Sequence, residues 1–144
     1  MSRERPYVNK PTVELHNRLV MAASSTYCVV QEPGPTSFVL QHPGSERKHR
    51  VNIGSVHSCS CGSREQPCAH TAFVLVRVFR LSPSDPRTWQ TSLIDAELEA
   101  LVEKRARERA AARRMRAQAM AEAAAAAAAG RVAARSADEP APPP

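Results

Sequence analysis

Aromatic residues make up only 4% of the 144-residue chain, and no uninterrupted apolar run approaches the ~18 residues that a membrane helix needs. The opening MSRERPYVNKP carries charge and proline and lacks the apolar stretch of a secretory signal. These absences predict an intracellular chain, cytoplasmic or nuclear, with no membrane partner. The phosphate-cradling G-x-x-x-x-G-K, the G-x-S-x-G elbow and any paired-carboxylate arrangement are missing as well, which argues against intrinsic catalysis and leaves no sign of a small-molecule substrate. Core-forming residues are also scarce. Of 61 apolar residues 24 are alanine, and of the other 37 three precede Thr12 and three follow Val102. One small domain over 12–102 is therefore expected. At ~90 residues it buries around two-thirds of its unfolded surface, a thin margin that a structural metal would supplement.

Charge is as uneven as hydrophobicity. Residues 103–135 hold nine Lys/Arg against three Glu, while the rest of the chain holds eleven against eleven. The formal net charge of +6 belongs to this extension, so it says nothing of what the domain binds.

The order of elements can be read from pattern. Residues 1–11 are polar and expected to be disordered. Thr12 can cap a short helix with Leu15, Leu19, Val20 and Ala23 on one face. The runs TYCVVQ, SFVLQ and HRVNI, separated by turn-forming residues at Glu32–Thr36 and Pro43–Lys48, predict a three-stranded antiparallel meander. AHTAFVLVRVFRL is too long for one strand and apolar almost all round, so it predicts a helix buried by several partners. After the Ser82–Pro86 break, Trp89 introduces a segment whose Leu93 or Ile94, Leu98, Leu101 and Val102 would dock back on the domain. Residues 103–130 are Ala, Arg, Glu, Lys and Met with a single Gln, and have no proline and no glycine before Gly130, which predicts a long helix. That helix has no sustained Leu/Ile seam for a strong coiled coil. Residues 131–144 end in a Pro-rich, disordered tail.

The chemistry is concentrated in CSCGSREQPCAH: Cys59 and Cys61 as C-x-C, six residues, then Cys68 and His70 as C-x-H. Alternate residues of an extended strand face one side, so Cys59 and Cys61 can point at one ion. Pro67 and Cys68 open the next helix, and His70 in its first turn can aim its ring inward. Three sulfurs and a nitrogen form a closed tetrahedral set suited to one structural Zn2+ and unsuited to Mg or Ca. Clustered thiols with a histidine, in a chain without a secretory signal, favour metal over disulfide, and a Cys59–Cys61 bridge would be strained.

This pattern, with strands before it and an apolar helix after it, resembles the SWIM zinc finger, over roughly Thr26 to Leu81. The resemblance implies an α+β finger: a small three-stranded sheet and a helix around one zinc, with helices flanking it. The wider stretch, with the Glu32–Pro35 turn and Asp85, Pro86, Trp89, Leu93, Glu97 and Leu101, looks like SWIM proteins that act in ubiquitin ligation. In those a RING-type domain follows. Here no cysteine occurs after Cys68, so the resemblance implies a binding part, or a piece of a longer ligase, rather than a complete one. The expected function is a zinc-binding SWIM module that takes a protein partner.

The alternative is a nucleic-acid-binding finger using the basic helix and a patch of Arg47, Lys48, Arg50, Arg64, Arg77 and Arg80 against Glu46 and Glu65. With no aromatic residue in the basic helix, such binding would be salt-sensitive and sequence-blind. His57 is a weaker ligand candidate, since four donors already complete the set, and it is expected beside the site or in solvent. Cys28 is expected to be a small buried hydrophobe. His16, His42 and His49 are expected to be solvated.

Overall fold

The computed structural model describes residues 3–137, with side chains as far as Val132. Its elements are α1 (Val13–Ala22), β1 (Cys28–Gly34), β2 (Ser37–Gln41), β3 (Lys48–Asn52), β4 (Ser58–Cys59), α2 (Ala69–Phe73) continued by a π-helical stretch (Val74–Val78), a 3-10 turn (Pro86–Thr88) and α3 (Asp95–Ala137). The architecture is α+β, with an antiparallel sheet in the order β1-β2-β3-β4. The chain divides into two units, residues 1–105 and 106–144.

The first unit is built on strand alternation. Phe38 and Leu40 of β2 and Val51 of β3 are buried while their neighbours are not, and Phe38 pairs with Val51 in register. This face packs on Phe73, Val74, Leu75 and Phe79, with Leu93 and Leu101 closing the cluster; Phe38 and Phe79 meet edge to face at 5.6 Å. Each such side chain contributes about 1.5–3 kcal/mol when fully buried. The other side of the α2 segment, through Ala72 and Val76, packs on Leu19 and Ala22 of α1 and on Trp89. The segment is thus covered by the sheet, by α1 and by the residues after it, as its all-round apolar pattern requires.

Several expectations need correction. The sheet has a fourth strand, of two residues, in which Ser58 and Cys59 pair with Asn52 and Val51; so short a strand carries no alternation to detect. The helix after the cysteines is α-helical for one turn only and then widens, with Phe79 N–H donating to Val74 O at 2.9 Å. This i→i+5 spacing falls within a segment whose residues 71–76 are all buried. The inner face of α1 is Leu15, Leu19 and Ala22, while Val20 is 48% exposed. Cys28 is exposed, because β1 is an edge strand whose first six residues are all exposed and whose pairing with β2 is interrupted by two register shifts. The long helix starts at Asp95, eight residues ahead of residue 103, and runs to Ala137. Glu97 holds its start by accepting from the Ile94 N–H at 3.0 Å, the returning half of a capping box. Over residues 112–132 this helix is exposed, Met115 and Met120 included. The disordered tail expected at 131–144 is helical as far as Ala137, because the alanine-rich run continues past Gly130, and its remainder from 138 onward lies outside the described residues.

Residues 3–11, expected to be disordered, form a strap. Val8 O accepts from both Trp89 Nε1 and Gln90 Nε2 at 2.8 Å, and Val8 N–H donates to Gln90 Oε1 at 2.9 Å. Arg3 donates to Ser92 O at 2.6 Å and pairs with Glu97 at 2.9 Å. The pattern was hidden because the strap is held by backbone groups, which every sequence has. Gln90 is 1% exposed, so Gln90→Leu should leave buried polar groups unmatched at a cost of about 1–3 kcal/mol. Urea unfolding followed by Trp89 fluorescence would read this as a lower midpoint; an unchanged midpoint would show that the strap adds no stability.

Candidate metal centre

β3 and β4 bring the first half of the site into place. Ser60 extends their pairing past Cys59, its N–H donating to Arg50 O at 3.0 Å and its hydroxyl accepting from Arg50 N–H at 2.8 Å. Cys61 then lies in a turn, where Gly62 N–H reaches Cys59 O at 3.4 Å. Gly62 has φ +70°, a conformation that glycine takes without steric cost. The two thiols therefore converge through a tight turn rather than along a straight strand. Cys68 is the N-cap of α2, its Sγ accepting from Thr71 N–H at 3.5 Å, and His70 sits in the first turn. Arg18 of α1 braces the loop between the two halves, donating to Pro67 O at 2.8 Å and pairing with Glu65 at 2.6 Å.

The donor atoms of Cys59, Cys61, Cys68 and His70 all lie within 4.8 Å of one another. Cys68 Sγ is 4.0 Å from His70 Nδ1, which identifies the nitrogen that faces the thiols. A tetrahedral ion with sulfur at about 2.3 Å and nitrogen at about 2.0–2.1 Å would set its donors roughly 3.5–3.8 Å apart. The cluster thus fits a metal ion after shifts of an ångström or less. Cys68 is buried and the other three are partly so. Hydrogen bonding to Cys59 is the largest influence on the Cys68 thiol and holds its pKa far below the usual thiol range, with help from His70 and Thr71 against the opposing effect of burial. The same contact and burial push Cys59 up.

Two aromatic neighbours fix the His70 ring. His49 of β3 stacks on it at 4.1 Å between centroids and 29° between planes. Tyr27 lies 5.1 Å away on the same ring and also meets Phe73 edge to face at 5.4 Å, linking the site to the main core. His49, expected in solvent, is therefore part of the site's framework, and burial is the first cause of its lowered pKa. Its place could be read only from the β2–β3 register, which no sequence spacing supplies. His42 is exposed, at 5.4 Å from Tyr27.

His57 stays outside the donor set. It is 4% exposed. Its Nδ1 accepts from Gly54 N–H at 3.2 Å, and its own N–H donates to Thr91 O at 3.0 Å. Burial pushes its pKa down to about 4, against a weaker opposing effect of the Gln90 backbone. The ring is neutral with its proton on Nε2, which has no well-formed hydrogen bond among the described residues. Its task is to lock the β3–β4 connection to residues 90–93.

Over 99 residues, 69% of its length, the chain is 38% identical to mitogen-activated protein kinase kinase kinase 1 of Mus musculus and 37% identical to that of Homo sapiens. Over 85 residues, 56% of the chain, it is 32% identical to the E3 ubiquitin-protein ligase Zswim2 of Mus musculus. The chain spans about 6% of the kinase and 14% of the ligase. No family model matches it, and no solved structure does. The chain is a homologue of a SWIM zinc-finger ubiquitin ligase, and it carries a Cys3His cluster compatible with a zinc finger.

The geometry separates His49 from His57. His49→Ala should weaken metal affinity about 10-fold, the scale set by outer partners that orient a ligand, whereas His57→Ala should lower stability and leave affinity unchanged. Competition against a chromophoric chelator measures both; equal losses in the two variants would contradict the assignment.

Proposed function

We propose that the chain is a zinc-binding SWIM module that takes a protein partner in a ubiquitin-ligase setting and is non-catalytic by itself. One structural Zn2+ is held by Cys59, Cys61, Cys68 and His70. The observation that carries this reading is the convergence of those four donors, from a strand, a turn and a helix start, within 4.8 Å. Three thiolates and an imidazole favour zinc over hard cations, and four protein donors leave no open position for a substrate or an activated water. The module is taken as residues 12–102, with the finger core at 26–81 and the strap of residues 3–11 fastened to it. Reduced cysteines used as ligands suit the cytoplasm or nucleus, and no described helix is long and apolar enough to cross a membrane. The ligase setting rests on the relative named as an E3 ubiquitin-protein ligase. A nucleic-acid role finds no specific support: Arg105 of the basic helix is engaged by Glu32, and no base-stacking aromatic lies in that helix.

Structural zinc contributes on the order of 10 kcal/mol or more in small fingers, against ~5–15 kcal/mol for a whole domain. Protein purified without added metal should contain one zinc per chain by elemental analysis, and Cys68→Ala should lose both the metal and the near-ultraviolet circular dichroism of the domain. Folded protein with a stoichiometry near zero would sink the site. With activating enzyme and a panel of conjugating enzymes, the chain should form no ubiquitin conjugates above the no-ligase control. Zinc-dependent conjugates would show that it is an enzyme after all.

A further inference from the structure

Away from the metal site, the end of the π-helical stretch and the end of α1 enclose an open cavity of about 660 Å³. Its apolar lining comes from Ala23, Val76, Leu81 and Pro83, and its charge from Arg77 and Arg80. Arg77 donates one guanidinium N–H to Ala23 O at 2.7 Å, which fixes the group at the cavity, and its other donors have no hydrogen-bond partner among the described residues. Neither arginine has a carboxylate partner among the described residues. Immediately before Ala23, the last turn of α1 exposes Val20 and Met21, at 48% and 70%.

Arg80 has φ +57°. This left-handed conformation at a helix end is the one glycine normally fills, and flanking bonds hold it, with Phe79 N–H on Val74 O and Leu81 N–H on Leu75 O at 3.1 Å. A long cationic side chain thus occupies a position that backbone energetics would give to glycine, in a helix whose π-helical winding is itself a frequent mark of functional sites.

We propose that this groove docks an acidic, apolar peptide segment of a protein partner, with carboxylates on Arg77 and Arg80 and an apolar side chain against Val76, Leu81 and Pro83. The proposal rests on the reading of the chain as a protein-binding module and names the surface and the class of partner. Arginine presents paired donors to a carboxylate and forms charge-assisted bonds about twice as strong as neutral ones. The mixed lining favours peptide over nucleic acid, since the groove has two cations, no aromatic platform for a base, and apolar surface that a phosphate backbone would not use.

The probe is a fluorescein-labelled 12-residue peptide of Leu, Glu and Asp. Its controls are the same peptide with Gln and Asn in place of the acids, and a 12-nucleotide single-stranded DNA. Anisotropy and ¹H–¹⁵N NMR on the zinc-loaded full chain should show the acidic peptide binding, with shifts centred on Val76, Arg77 and Leu81 and at least tenfold weaker binding of the neutral peptide. Arg80→Gly, which keeps the left-handed backbone without strain, should keep or raise the melting temperature and weaken the acidic peptide at least tenfold. The proposal is overturned if Arg80→Gly binds like the parent, if the peptide gives no shifts or gives them elsewhere, or if the DNA is the better ligand at the groove. The broader module reading fails by a different result, zinc-dependent ubiquitin conjugation by the chain alone.

Discussion

Four donor atoms from three local structures must share a space less than 5 Å across, and the thin domain is arranged around that requirement. A two-residue strand, a turn and a five-residue helix have little independent stability. Holding their ends together fixes the direction in which the apolar segment after Cys68 leaves the site. That segment supplies buried residues to both core clusters, Phe73, Val74, Leu75 and Phe79 on the sheet side and Ala72 with Val76 on the α1 side. An ion at the cluster would therefore act on the whole first unit, although it touches only four side chains.

Polar contacts then tie irregular segments to this frame. Arg18 holds the loop between the two halves of the site, and His57 with Gln90 holds the segment before α3. Tyr27 is the bridge between the levels, packed on His70 at the site and on Phe73 in the core. Small domains with scarce apolar residues commonly add such staples to a limited core. Here they are an aromatic bracket, a backbone strap and a cluster of thiols. The relatives in which this stretch recurs are several times longer, and the chain covers only 6% to 14% of them.

Most of the candidate site was legible because its spacing is short. C-x-C and C-x-H place pairs of donors by local geometry alone, and only the six-residue spacer had to fold correctly to join them. The α+β class, the β1–β3 meander and the buried helix were legible from alternation and from an apolar run too long for a strand. What escaped depends on tertiary contact. The stack of His49 on His70 requires the register of β3 against the helix; the strap requires backbone partners 82 residues away; β4 is too short to leave a pattern. Cys28 misled because an apolar-looking strand was assumed to be covered, whereas an edge strand with register shifts can leave even Val29 and Val30 exposed. The wide helical turn also gave no signal, since α and π winding bury the same residue types.

X-ray absorption at the zinc edge of the purified full chain tests most directly whether these four side chains enclose a single ion. Three sulfurs at about 2.3 Å and one nitrogen at about 2.0–2.1 Å are the shell that Cys59, Cys61, Cys68 and His70 must produce. A shell dominated by oxygen, or one with fewer than three sulfurs, would contradict it.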